Sequence, residues 1–188
     1  MPSLLIETTL LIIIALLIYF FEPQSGELLA YYHTGITQLE FWRLITATFC
    51  HTNFNHLIMN VIGLVVILSL FIDTYKKTSP IALILFSSVF IGVALFILEP
   101  DIIWYVGLSG VLHALFSYGV ACDLQQRNKW GIGLAIGLLA KISYEQIFGA
   151  QQSTIELIDA PVLINAHLYG AIAGIIFYYL SKLFKLRV

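Results

Sequence analysis

Residues 80–98 read Pro-Ile-Ala-Leu-Ile-Leu-Phe-Ser-Ser-Val-Phe-Ile-Gly-Val-Ala-Leu-Phe-Ile-Leu, an apolar run without a charge, opened by Pro80 and closed by Glu99-Pro100-Asp101. Proline suits the first turn of a helix, where its missing N–H is not needed, and a polar Pro-containing cluster stops one. At the rise of an α-helix such a run is about 29 Å long, close to the thickness of a bilayer's hydrocarbon core. Five more apolar stretches stand at roughly 3–21, 54–72, 108–123, 130–148 and 161–181. None shows the single-face alternation of a β-barrel strand, and backbone groups left unpaired in hydrocarbon each cost several kcal/mol. The expected fold is therefore all-α: a polytopic membrane protein whose six transmembrane helices form a bundle.

Composition agrees. Of the 188 residues 60% are hydrophobic and 11% charged, and mean hydropathy is +0.92, whereas soluble domains run near a quarter charged. Six spans of about 20 residues take about 120, leaving roughly 68 for every tail and loop. A single domain, 1–188, follows. A net charge of −2 leaves no basic face for nucleic acid, so lipid is the main partner. Leu4 to Phe21 lacks a basic start and a small-residue cleavage motif before Glu22 and reads as a retained span. Cys50 and Cys122 fall on opposite faces of this map, and no bridge between them is expected.

The basic residues orient the chain. Lys76 and Lys77 follow span two, Arg127 and Lys129 follow span four, and Lys182, Lys185 and Arg187 follow span six. These are seven of the nine Lys and Arg, and positive charge is retained on the cytoplasmic side of short loops. Both termini are predicted cytoplasmic. Glu22, Glu27, Glu40, Glu99, Asp101, Glu156 and Asp159 occupy the opposite loops. The long connector 22–53 carries Leu28-Leu29-Ala30-Tyr31-Tyr32 and Phe41-Trp42-Arg43-Leu44-Ile45, and its aromatics predict short amphipathic helices in the outer leaflet.

Polar side chains in a membrane core are costly and mark function by default. Spans two, four and six all start from the outer face, so position along each converts to depth. His56 and Asn60 lie in the first two turns of span two, Ser109 starts span four, and His167 is about six residues into span six. In Gly107-Leu108-Ser109-Gly110 the glycines admit a substrate closely, and a helix start leaves amide N–H groups aimed at developing negative charge. His167 is the expected base, because Gly170 and Gly174 give span six a face for close approach to a neighbour. If that neighbour is span four, a serine–histidine dyad forms without an acid. His56 and Asn60, four apart on one face, would donate to an oxyanion. His113, one turn below Ser109, reads as a packing or hydrogen-bonding residue, His51 as a shaper of the site, and His33 as a loop residue. No metal is expected, since the sequence lacks His-Glu-x-x-His and no carboxylate is placed in this layer. Lys141 and Glu145, four apart in span five, read as a separate pair, either fixing helix packing or recognising a polar or basic stretch of substrate.

These residues resemble the rhomboid intramembrane serine proteases. The likeness rests on the six spans, Phe41-Trp42-Arg43, the run His51 to Asn60, Gly107-Leu108-Ser109-Gly110, and Ala166-His167-Leu168-Tyr169-Gly170. It implies Ser109 as nucleophile, His167 as general base, His56 and Asn60 as oxyanion donors, and backbone from Leu108 and Ser109 nearby, with no cofactor. The compact size, Gly110 to Phe116, and Lys141-Ile142-Ser143-Tyr144-Glu145-Gln146 look like the rhombosortase branch. That branch implies a bacterial inner-membrane enzyme whose site opens to the periplasm. Its substrates would be transmembrane proteins with a C-terminal helical anchor, which lose a sorting tail at a Gly-Gly motif. Tyr169 stands where many rhomboids carry a smaller residue, which bears on how closely spans four and six pack. The alternative is a non-catalytic rhomboid-like protein that binds or escorts transmembrane clients.

Overall fold

The computed structural model describes residues 2–184, so Lys185 and Arg187 of the orienting charges lie outside the described residues. The chain opens with α1, Pro2–Phe20, and the connector then folds into α2 (Gln24–Leu29), β1 (Tyr31–Tyr32), α3 (His33–Thr37) and α4 (Arg43–Thr46). A 3-10 turn, Ala47–Phe49, leads to α5 (Phe54–Leu70) and the short α6 (Ile72–Tyr75). There follow α7 (Pro80–Leu98), β2 (Trp104–Tyr105), α8 (Ser109–Gln125), α9 (Lys129–Phe148), α10 (Gln152–Ile158) and α11 (Ile164–Leu183).

A helix stands in each of the six expected stretches, but they are not six equivalent spans. Four, Ser3–Phe20, Pro80–Leu98, Lys129–Phe148 and Ile164–Leu183, are long and apolar enough to cross a membrane alone. A fifth arises if Arg43–Phe49 and Phe54–Leu70, bent by 95°, count as one. The remaining helix, α8, has only 17 residues. An extended loop, 102–106, precedes it and pairs through Trp104–Tyr105 with the connector. The boundaries follow local chemistry: Ser79 accepts from the Ile81 amide with Pro80 next, Asn53 accepts from the His56 amide, and Asn128 accepts from the Trp130 amide.

The core lies between α5, α7, α8 and α11, with Leu64, Leu83, Ile91, Leu95, Val111 and Leu115 nearly inaccessible. Lipid-facing apolar residues are exposed instead, notably Ile132, Ile136 and Leu139 of α9. The most extensive helix pairing is α8 with α11. A Cβ on Gly170 would overlap the Gly110 carbonyl, and one on Gly174 the Ala114 carbonyl. Ser117 Oγ donates to the Ala171 carbonyl at 2.8 Å across the same seam. Tyr169 does not widen it, since its hydroxyl turns away to donate to Glu99 at 2.7 Å.

The connector is a folded scaffold. Arg43 is buried and donates to the carbonyls of Ala30 at 2.8 Å and Glu27 at 3.1 Å, while its Nε meets Glu40 at 2.5 Å. Trp42 Nε1 donates to Leu28 and Thr46 Oγ1 to Leu29. The antiparallel pair Tyr31↔Tyr105 and Tyr32↔Trp104 ties this scaffold to the loop before α8. Cys50 is buried in the scaffold, Cys122 is partly exposed toward the far end of α8, and both are free thiols.

Breaking the Arg43 hub should unfold the scaffold first. Arg43→Ala is expected to cost about 3 kcal/mol, the low end for a broken buried pair, because the Glu40 side chain is 31% exposed. Thermal unfolding in micelles would show it as a lowered midpoint, and an unchanged midpoint would remove the hub's role.

Candidate active site

Ser109 is the first residue of α8. Its approach is set by Gly107, whose φ of 118° lies where L residues are strained and whose amide donates to the Ala47 carbonyl at 3.1 Å. A Cβ on Gly107 would also lie 2.8 Å from His56 Nε2. Tyr105 closes the turn, its buried hydroxyl donating to the Gly107 carbonyl at 3.1 Å. Burial pushes that phenol above its ordinary range, so it stays a neutral donor.

The α8–α11 seam brings His167 to Ser109, with Nε2 3.0 Å from Oγ. The other ring nitrogen, Nδ1, is 3.0 Å from Glu145 Oε2, and Lys141 Nζ is 2.8 Å from Glu145 Oε1. This corrects the expectation that the layer holds no carboxylate and that Lys141 and Glu145 stand apart. The cause is hairpin symmetry: Ser109 and Glu145 each lie eighteen residues from Arg127, in the turn joining α8 to α9, so antiparallel helices return Glu145 to the depth of Ser109. Position counting alone could have found it.

His113 stacks on His167, ring centroids 4.3 Å apart and planes at 16°, and its Nδ1 donates to the Ser109 carbonyl at 2.8 Å. It packs against the His167 ring from one turn deeper. His51 packs edge-on against His56 at 5.0 Å, its Nδ1 bound to the Phe49 carbonyl. His33 stacks on Phe96 away from the site.

His56 and Asn60 are both buried on the face of α5 turned to Ser109. Asn60 Nδ2 has no hydrogen-bond partner among the described residues, and an unmet buried donor costs about 1–3 kcal/mol. Thr52 Oγ1 lies 2.6 Å from the Ile158 carbonyl and 3.1 Å from His56 Nδ1. The Thr52 backbone N–H also donates to His56 Nδ1 at 3.5 Å, and a neutral ring that accepts there carries its proton on Nε2.

Two cavities open on Ser109. One of about 280 Å³ runs beneath Asp101, Trp104, Pro161 and Leu163, and one of about 350 Å³ is walled by Met59, Asn60, Lys141, Tyr144 and Glu145. Leu108, preceding the serine, sits at the helix cap and is buried. The α8 start leaves its first amides without intrahelical partners.

One group among the described residues has metal-ligand composition: His113, Glu145 and His167, with ligand atoms within 4.8 Å of one another. Imidazole lone pairs lie in the ring plane, and in two rings stacked at 16° they run side by side. A metal would require one ring to swing out of the stack, breaking the serine or carbonyl contact.

A serine, two histidines and an asparagine sunk at one end of apolar helices, open to two cavities, define a multi-pass integral membrane protein with an internal polar site. Residues 38–183 match the Rhomboid domain, and the chain belongs to the rhomboid family. It is 27% identical over 174 residues to "Rhomboid-like protein 11, chloroplastic" of Arabidopsis thaliana, covering 88% of this chain and 60% of that protein. The chain thus spans about 60% of the length of the curated relative it matches.

Proposed function

We propose that this chain is an intramembrane serine endopeptidase that cleaves membrane-anchored proteins near the outer face and removes Gly-Gly-type C-terminal sorting tails. The observation that carries the reading is the 3.0 Å contact of Ser109 Oγ with His167 Nε2, below the end of the bundle and open to both cavities. In this reading α8 is span four and completes the six, begun late so that water reaches the serine. On the same reading both termini lie in the cytoplasm of a bacterial cell and the site opens to the periplasmic side of the inner membrane, an orientation supported by the basic residues that follow spans two, four and six.

A substrate helix enters laterally and unwinds at its outer end, which glycines favour by about 1 kcal/mol each over alanine. His167 takes the Ser109 proton as Oγ attacks the carbonyl, and returns it to the leaving amine. Water then releases the acyl-enzyme by the same route. The oxyanion is held by Asn60 Nδ2, the α8 amides at Leu108 and Ser109, and His56. His56 donates from Nε2, because its Nδ1 accepts from the Thr52 amide. Lys141, with 47% of its side chain exposed, is the group in the second cavity for a polar stretch of substrate.

The oxyanion role gives a direct test. Asn60→Ala is expected to lower kcat about 10²–10³-fold, as loss of one such donor does elsewhere, with KM for a tail peptide little changed. Unchanged kcat would remove Asn60 from the site. The rival reading, a client-binding protein without chemistry, leaves the unpartnered Asn60 donor without a use.

A further inference from the structure

We propose that Glu145 is a positioning residue that turns the Ser109–His167 pair into a three-member relay, and that Lys141 clamps it. The proposal rests on the protease reading and goes beyond it, since a serine and histidine alone suffice for that reading. It rests on three contacts in series, two of them through one imidazole. Nε2 faces Ser109 Oγ at 3.0 Å, Nδ1 faces Glu145 Oε2 at 3.0 Å, and Glu145 Oε1 is held by Lys141 Nζ at 2.8 Å. The His167 and Glu145 side chains are 8% and 12% exposed, so water competes little for either.

The arrangement settles which nitrogen carries the proton. A carboxylate only accepts, so Nδ1–H of His167 donates to it and Nε2 keeps its lone pair toward the serine. That is the tautomer a general base needs. Without Glu145 the neutral ring is free to hold its proton on Nε2, where it cannot accept from Oγ.

Charge also balances at each step. At rest Lys141 and Glu145 cancel. When Oγ attacks, its proton moves to Nε2 and the carbonyl oxygen becomes the oxyanion, so the new imidazolium and the new anion cancel in turn. Glu145 stays ionised throughout and stabilises the imidazolium, while Lys141 keeps the carboxylate from being a lone buried charge before it forms. His113 serves the same ring from its face, through the 4.3 Å stack. With both oxygens of Glu145 engaged, a substrate's basic group finds no free carboxylate there.

The test uses the full chain in micelles and follows labelling of Ser109 by a fluorophosphonate, which reads nucleophile activation without a bound peptide, beside kcat and KM for a tail peptide. Glu145→Gln is expected to slow labelling and kcat by about 10²–10⁴-fold with KM unchanged. Glu145→Asp should recover at least part of the loss. Labelling of Glu145→Gln at the wild-type rate with a raised KM would overturn the proposal in favour of substrate recognition. The wild-type rate with a lowered unfolding midpoint would overturn it in favour of packing. Recovery in the double variant Lys141→Met, Glu145→Gln would also overturn it, by tracing the loss to a stranded lysine. A wild-type chain that takes no label at Ser109 would overturn the protease reading itself, and this proposal with it.

Discussion

Ser109→Ala is expected to abolish maturation of a co-expressed protein bearing a Gly-Gly tail, with kcat down by about 10⁶-fold, the scale reached when a serine hydrolase loses its nucleophile. The size follows from the geometry. Oγ is the one atom that meets His167 Nε2 at 3.0 Å where both cavities open. Alanine removes a single oxygen at a helix start, where it is an excellent helix former, so the fold should survive and the loss should be of chemistry. Mass spectrometry of substrate ends checks the outcome. Unchanged maturation would sink the protease reading and favour the client-binding one. Activity that survives the substitution and yields to a chelator would instead place the chemistry on His113, Glu145 and His167.

Sequence made the helices legible because a bilayer enforces them. Pro80, Asn53 and Asn128 mark their own helix starts, and charge-free runs of membrane length leave the backbone little choice. The number of full spans was less legible, since α8 is cut short by a loop whose path depends on the distant pairing of Tyr31 with Tyr105. The Ser109 and His167 neighbourhood could be read because depth along parallel helices is a linear function of position. Glu145 could have been read the same way, but its helix runs antiparallel and Lys141, four residues before it, already explained it locally. A local explanation masked a tertiary one: two oxygens on one carboxylate serve two partners. The connector's fold was the least legible part. Arg43 binds carbonyls thirteen and sixteen residues away, and no periodicity announces that.

Gly170→Ala is expected to leave a folded protein with Ser109 labelling reduced about 100-fold, since an ångström of misplacement costs that much in rate. The added Cβ would overlap the Gly110 carbonyl oxygen, and both groups belong to packed helices, so neither can rotate aside as a flexible side chain would. One helix must shift. Gly110 follows Ser109 directly and Gly170 follows His167 by three residues, so any shift at this contact acts within one turn of the 3.0 Å Ser109–His167 contact. The Ser117 hydroxyl, donating to the carbonyl of Ala171 at 2.8 Å, ties α8 to the α11 residue next to Gly170, so α11 should shift locally and not detach. An overpacked contact of this kind costs about 1–3 kcal/mol, enough to lower the unfolding midpoint without emptying the folded state. Gly174→Ala makes the control: it strains the same seam against Ala114 and Ser117, farther from the serine, so it should cost similar stability with a smaller loss of labelling. Equal losses of labelling from the two variants would mean that α11 moves as a rigid rod. Full labelling in Gly170→Ala would mean that the separation of Ser109 and His167 is not fixed by this seam.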